Sequence, residues 1–100
     1  MIRHLVLWKL ADDDAADDKE VIVAELEQRF EALVPVIDGL ERLQIRADIG
    51  ETDGNWDVLL DADYRDTAAL DAYQVHPAHV DAAAYARSVV AARSCIDVEV

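Results

Sequence analysis

Apolar and polar side chains alternate along the first ten residues, and a period of two is typical of a β-strand. One face of the predicted strand, residues 2–10, carries Ile2, His4, Val6, Trp8 and Leu10. Leu5 and Leu7 lie on the opposite face. Because apolar residues occupy both faces, we predict a strand that is covered from both sides.

A helical pattern replaces this alternation after residue 20. Apolar side chains then recur at three- and four-residue steps and form an amphipathic stripe: Ile22, Val23, Leu26, Phe30, Leu33, Val34 and Ile37. The acid-rich residues 12–20 predict the start of this helix, with Asp17 and Glu20 as a capping pair. Pro35 lies inside the stripe, so we expect the helix to kink or end near it, with Gly39 closing it.

Strand-like alternation returns in two neighbouring segments, residues 43–49 and residues 56–64. The loop between them is rich in turn-forming residues, so the pair predicts a hairpin. The apolar alternation of residues 95–100 predicts a final strand at the C-terminal end.

A broken helix is predicted between the hairpin and the final strand. Asp66 or Thr67 is suited to cap a short helix that runs to about His76. Pro77 then predicts a second helix, running to about Ala91, because proline is favoured in a first helical turn and disfavours helix for the residue before it.

The element order is therefore strand, long helix, two strands, broken helix and strand. This order predicts an α+β fold of the ferredoxin-like, split βαβ type, as one domain over residues 1–100, with helices on one face of a four-stranded antiparallel sheet. The uncovered face would carry Leu5, Leu7 and Leu59, which is too apolar to remain in water. We therefore expect a homodimer in which two sheets pack face to face as a dimeric α+β barrel.

The composition narrows the classes of partner. A net charge of −13 on 100 residues repels phosphate backbones and anionic membrane surfaces, so we expect neither nucleic-acid binding nor membrane attachment. Cys95 is the single cysteine, which excludes an intrachain disulfide, and its apolar surroundings predict a core position. The chain starts directly with strand-like sequence rather than a secretory signal, so we expect a cytoplasmic location.

The candidate chemistry lies in residues 73–79, where a phenol and two imidazoles surround a proline break. Tyr73, His76 and His79 are side chains suited to proton transfer near neutral pH. The helix break could fold His79 back toward Tyr73. If the first strand lies below this segment, His4 would join them in one cavity.

Each of these side chains also has a structural interpretation. His76, directly before Pro77, is suited to cap or bridge the helix break. Tyr73 and His79 could form a hydrogen-bonded core pair, and His4 could be a core imidazole with satisfied hydrogen bonds. A metal site of three histidines is a further alternative, but the acids are scattered and we expect no metal.

Four segments together resemble the Dabb family of stress-responsive dimeric α+β barrel proteins. They are the first strand with its hydrophobic–His–hydrophobic–Lys pattern (residues 1–10), Pro35 with Asp38-Gly39, Asn55-Trp56-Asp57, and residues 72–80. The resemblance covers essentially the whole chain and implies the dimeric ferredoxin-like barrel already predicted from the element order.

The resemblance also implies a chemistry, because the family includes plant polyketide cyclases that act by intramolecular aldol condensation without metal or organic cofactor. In those members a Tyr and the second His of the Tyr-x-x-His-Pro-x-His signature are the catalytic pair. The matching positions here are Tyr73 and His79, and His4 resembles the strand histidine that lines the same pocket. The resemblance therefore implies no cofactor.

We hypothesise an enzyme that acts on a small, hydrophobic, carbonyl-rich molecule by aldol or cyclisation chemistry, with His79 as base and Tyr73 as orienting donor. The expected substrate-binding residues are His4, Val6, Trp8, Leu26, Val58 and His76. Two alternatives are a non-catalytic, stress-associated dimer that binds a small ligand, and a cofactor-free monooxygenase suggested by fold analogy. The bulk of Trp8 leaves the volume of the pocket open.

Overall fold

The computed structural model describes residues 1–11 and 19–100 of the chain. Seven elements follow in order: β1 (Ile2–Leu10), α1 (Lys19–Glu31), β2 (Leu40–Ala47), β3 (Val58–Tyr64), α2 (Thr67–Val75), α3 (Pro77–Val89) and β4 (Val90–Glu99). Asp17, predicted as a capping residue, lies outside the described residues. Within the described ranges, no helix is long and apolar enough to cross a membrane.

The four strands form one antiparallel sheet in the order β2-β3-β1-β4. β1 lies between β3 and β4, so that Val6 is opposite Leu60 on one side and Cys95 on the other. β2 pairs with β3 as the predicted hairpin. The predicted α+β, ferredoxin-like fold with a four-stranded antiparallel sheet is therefore confirmed.

The helices cover one face of the sheet, and the alternation along β1 determines which residues they bury. His4, Val6 and Trp8 are buried on the covered face, while Leu5 and Leu7 on the other face stay partly exposed. Burial of each large apolar side chain contributes about 1.5–3 kcal/mol, so the one-sided core stabilises this choice of face.

The first helix ends as the proline predicts, and a glycine then brings the chain close to α2. α1 stops at Glu31, shortly before Pro35, while Ile37 in the following turn remains buried in the core. Gly39 has φ +86°, and a Cβ there would lie 2.6 Å from the Cβ of Ala69. Only glycine accommodates both the backbone angle and this close approach.

The last strand begins earlier than predicted. Val90 pairs with Leu10 in the stretch where we predicted helix to about Ala91. Pairing with β1 overrides the helix propensity of the alanines there. The prediction that Cys95 lies in the core was wrong: its side chain is exposed, because β4 is an edge strand that the helices leave largely uncovered.

The uncovered face of the sheet carries four paired charges, which we call the outer-face network: Arg3, Arg42, Asp61 and Asp63. The Arg3 Nε donates to the Asp63 Oδ1 at 2.8 Å. Arg42 donates to the Asp61 Oδ1 at 2.6 Å and to the Asp63 Oδ2 at 3.1 Å. The hydrogen bond from Arg3 lowers the pKa of Asp63 to about 2, despite the opposing effect of desolvation.

Candidate functional site

A cavity of about 600 Å³ lies between the covered face of the sheet and the helices. β1 contributes His4, Val6 and Trp8 to its wall, and the α2–α3 break contributes Tyr73 and His79. The start of β4 forms part of the rim with exposed residues. This volume is within the range of roughly 300–1,000 Å³ that is typical of small-molecule sites. Trp8 therefore lines the cavity without filling it.

The helix break brings Tyr73 and His79 together. α2 ends with a hydrogen bond from the His76 N–H to the Tyr73 carbonyl, and Pro77 starts α3 in a new direction. As a result, the rings of Tyr73 and His79 are 4.1 Å apart between centroids, with an interplanar angle of 39°. Phe30 packs against the same imidazole at 6.3 Å. The two predicted catalytic side chains thus share one wall of the cavity.

The surroundings of His79 favour its neutral form. Burial lowers the pKa of His79, and the cations nearby add to this effect. Its Nδ1 lies 3.3 Å from the Gln74 carbonyl, which can only accept a hydrogen bond, so the proton of the neutral ring belongs on Nδ1. Nε2 is then the unprotonated nitrogen and can accept a proton.

Burial has the opposite consequence for Tyr73, whose hydroxyl keeps its proton. Desolvation raises the pKa of Tyr73 to about 12. Near neutral pH the phenol is therefore a hydrogen-bond donor and His79 is a base. Two titratable groups with their pKa values pushed apart in one cavity are typical of acid–base sites.

His4 is held by a carboxylate that the sequence analysis did not identify. Its Nδ1 forms a hydrogen bond with the Asp97 Oδ1, and the His4 side chain is almost fully buried, with 3% of the residue exposed. The β1–β4 register places the two residues directly opposite each other. A carboxylate on Nδ1 fixes the ring orientation and leaves Nε2 as the acceptor.

Tyr64 lies behind these groups, in the core. Its ring meets that of Tyr73 edge-on at 4.9 Å and that of His4 at 6.1 Å. Burial raises the pKa of its hydroxyl, and the Tyr73 hydroxyl nearby adds to the effect, although the two form no hydrogen bond of normal geometry. A buried polar atom without a partner is uncommon in folded proteins and is found at functional sites.

Three residues predicted to bind substrate do not line this cavity. His76 instead caps α3, because its Nδ1 accepts a hydrogen bond from the Ala78 N–H at 3.1 Å. Leu26 and Val58 are packed in the core, with 0% and 2% of each residue exposed. The expectation that all three histidines share one cavity was therefore wrong: the cap holds His76 at the helix break, away from His4 and His79.

Two further side chains on the cavity wall were missed, Arg87 at the end of α3 and Arg93 on β4. Arg93 lies opposite Trp8 across the sheet, which turns it toward the covered face. The signal that could have found it is the register of β4, had the strand been started at Val90. Among residues 1–11 and 19–100, no three His, Cys, Asp or Glu side chains cluster as metal ligands would.

Comparison with known proteins agrees with the fold and the resemblance. A family model described as the stress-responsive A/B barrel domain (Dabb) matches residues 2–100. Its match confirms the resemblance to the Dabb family. No curated protein matches the chain.

Solved structures from three organisms are similar over nearly the whole chain. A dimeric protein of ferredoxin-like fold from Bacteroides fragilis is 26% identical, with a TM-score of 0.86 over 99% of this chain and 95% of its own. A dimeric ferredoxin-like protein from Thermobifida fusca is 29% identical, with a TM-score of 0.80 over 99% of this chain and 90% of its own. A hydroxynitrile lyase from Passiflora edulis shares the fold at 10% identity, with a TM-score of 0.81 over 99% of this chain and 92% of its own. Because the model of this family matches residues 2–100, the chain belongs to the stress-responsive A/B barrel domain family.

Proposed function

We propose that the protein is an enzyme that acts on a small, hydrophobic carbonyl compound by aldol or cyclisation chemistry, with His79 as general base and Tyr73 as hydrogen-bond donor. The observation that carries this proposal is the contact between a neutral imidazole and a protonated phenol on the wall of a cavity of about 600 Å³. The fold itself is compatible with lyase chemistry, since a hydroxynitrile lyase shares it.

The proposed reaction begins with a proton transfer. The Nε2 of His79 removes a proton from a carbon next to a carbonyl, and the electron pair of that C–H bond moves onto the carbonyl oxygen. The Tyr73 hydroxyl donates a hydrogen bond to this enolate oxygen, which stabilises the developing charge. General-base catalysis of this kind contributes roughly 10²–10⁴-fold to the rate.

Carbon–carbon bond formation follows within the bound molecule. The enolate carbon attacks a second carbonyl, whose oxygen becomes an alkoxide and takes the proton back from the His79 imidazolium. The Nε2 of His4, held in place by Asp97, accepts a hydrogen bond from a hydroxyl or enol of the substrate and so orients the chain. The cavity wall of Trp8 and Phe30 keeps the rest of the molecule away from water.

We also propose that the functional unit is a homodimer. Leu5, Leu7 and Leu59 are partly exposed on the uncovered face of the sheet, and Ile96 beside them is 58% exposed. The similar proteins from Bacteroides fragilis and Thermobifida fusca are dimeric. Light scattering at micromolar concentration should give twice the 11.1 kDa of the chain, and a stable monomer there would contradict the dimer.

The catalytic proposal is tested by deuterium exchange. Benzoylacetone, a neutral dicarbonyl with an apolar ring, is incubated with the protein in heavy water, and loss of its central proton signal is followed by NMR. We expect the protein to accelerate the exchange, His79→Gln to reduce the protein-dependent rate roughly 10²-fold or more, and Tyr73→Phe to reduce it roughly 10-fold.

His76→Asn is the matched control, because it removes an imidazole outside the cavity while asparagine retains the ability to cap α3. Its exchange rate should equal that of the unmodified protein. An unchanged rate in His79→Gln would reject His79 as the base. Binding of benzoylacetone without any accelerated exchange would indicate a ligand-binding protein in place of an enzyme.

A further inference from the structure

The cavity wall differs in charge from the rest of the protein. The chain carries 22 acids against 9 lysines and arginines, for a net charge of −13. Among the described residues that line the cavity, two are arginines, Arg87 and Arg93, and none is an aspartate or glutamate. Asp97 lies behind His4 and is bonded to it, so the arginines are the charged groups on the wall itself, and they offer a local attraction for anions.

These two arginines have no carboxylate to neutralise them within the described ranges. Arg87 and Arg93 form no ion pair there, although Arg3, Arg42 and Arg65 each do. The Arg93 Nη1 makes a weak contact with the Cys95 sulfur at 3.6 Å. Their guanidinium donors therefore remain available to a ligand.

The position of the cations suits a molecule with an anionic end and an apolar body. Both arginines are exposed at the rim, whereas Val6, Trp8 and Phe30 form a buried apolar floor. Both are also close enough to His79 to lower its pKa, so a head group bound by them would hold the body of the ligand beside that imidazole.

A carboxylate fits this rim better than a phosphate does. Phosphate sites usually include backbone N–H groups at the N-terminus of a helix. Arg87 lies in the last turn of α3, where the helix dipole is negative and opposes a dianion. The same dipole favours the Arg87 cation, which gives Arg87 a structural reason to be there, but Arg93 on β4 has no such reason.

We propose that Arg87 and Arg93 bind the carboxylate of the substrate, so that the natural substrate is a keto acid with an apolar chain or ring. The carboxylate lies at the rim, the apolar body contacts Trp8 and Phe30, and the keto group reaches Tyr73 and His79. This inference rests on the proposed function, because it assigns the substrate class of the same cavity.

Binding of matched probes tests the inference without requiring turnover. Hydrocinnamate and hydrocinnamide have the same phenyl ring and chain but differ in charge, and phenyl phosphate supplies the phosphate alternative. Each is titrated into the protein while the ring C–H signals of the three histidines are followed by NMR. Signals of His4 and His79 should shift as the cavity fills, and the signal of His76, outside the cavity, serves as the internal reference.

We expect hydrocinnamate to bind roughly 10-fold or more tightly than hydrocinnamide, because charge-assisted hydrogen bonds are stronger than neutral ones. It should also bind more tightly than phenyl phosphate, because the helix dipole at Arg87 opposes a dianion. Arg93→Gln and Arg87→Gln should each weaken the binding of hydrocinnamate roughly 5-fold or more and leave the affinity for hydrocinnamide unchanged. Arg65→Gln removes the same charge outside the cavity wall, where Arg65 pairs with Asp38, and should change neither affinity.

Four results would overturn the inference. Equal affinity for hydrocinnamate and hydrocinnamide would show that Arg87 and Arg93 do not bind the head group. An equal loss of hydrocinnamate affinity in Arg65→Gln and Arg93→Gln would show the same. Tighter binding of phenyl phosphate would assign a phosphate instead. A shift of His76 in place of His79 would locate binding outside the cavity. The exchange assay uses neutral benzoylacetone, which has no carboxylate for the arginines to bind, so it can succeed when this inference fails.

Discussion

The two faces of the sheet differ in how completely their polar groups are paired. On the uncovered face, the outer-face network pairs every one of its four charges with another. On the covered face, Asp97 is bonded to His4, but Arg87 and Arg93 on the cavity wall pair with no carboxylate among the described residues. The Tyr64 hydroxyl behind the cavity has no partner of normal geometry there.

This difference separates polar groups that stabilise the fold from polar groups that serve a ligand. A buried charge without a partner costs free energy, so a structural network tends to satisfy itself. A binding site instead keeps donors free of protein partners until its ligand arrives. Substitutions on the two faces should therefore separate stability from activity.

The largest effect on stability is expected from the outer-face network. Asp63 is 6% exposed and binds both Arg3 and Arg42. Asp63→Ala should lower the free energy of unfolding by about 2–3 kcal/mol, less than the roughly 3–5 kcal/mol of a fully buried pair, because the arginines are partly exposed. Denaturant unfolding of the variant and the unmodified protein, at the same protomer concentration, measures this difference in free energy.

Asp38→Ala is the matched control for that substitution. Asp38 also pairs with an arginine, Arg65, but its side chain is 93% exposed, so solvent screening should leave no measurable change in stability. Equal losses in Asp63→Ala and Asp38→Ala would contradict the structural role given to the network.

The outer-face network also predicts how the free energy of unfolding depends on pH. The folded-state pKa of Asp63 is about 2, below the ordinary value of 3.8, so folding favours the ionised carboxylate. Its contribution is fully present above the unfolded-state pKa and is lost as the pH falls from about 4 toward 2. The free energy of unfolding of Asp63→Ala should therefore fall less steeply over this window than that of the unmodified protein. Parallel curves of unfolding free energy against pH would exclude Asp63 as a source of the acid sensitivity.

The smallest effect, with the opposite sign, is expected behind the cavity. Tyr64→Phe removes the buried hydroxyl that lacks a partner of normal geometry. Because the cost of burying that hydroxyl disappears, the protein should become more stable by up to about 1 kcal/mol. A loss of more than about 1 kcal/mol in thermal or denaturant unfolding would mean that the hydroxyl is satisfied in solution.

Periodicity predicted most of the fold because the sheet has one covered face. The alternation in β1 and β3, the stripe in α1 and the proline before α3 each reflect burial or backbone constraints that act locally. The start of β4 was misplaced because Ala91 and Ala92 fit a helix as well as a strand. Only the pairing of Val90 with Leu10 and of Ala92 with Lys9 decides between the two.

The candidate site was predicted only in part, because only part of it depends on local sequence. Tyr73 and His79 flank a visible proline break, so their juxtaposition could be anticipated. Asp97 and Arg93 reach the cavity side only through the register of β4 with β1, a contact between distant parts of the chain that no local pattern encodes. His76 was grouped with the substrate-binding residues although its position before Pro77 also indicated the cap that it forms.

The most direct test of the account is the titration of His79 itself. Its ring C–H signals, assigned by comparison with His79→Gln, are followed by NMR from about pH 5 to about pH 8, where imidazoles change charge. We predict a pKa below the ordinary value of 6.5 because the ring is partly buried beside Phe30 and Tyr73, and the benzoylacetone exchange rate should rise with pH through that same pKa and then level off. A pKa above 6.5, or a rate that does not follow it, would contradict the claim that a neutral His79 is the base of this cavity.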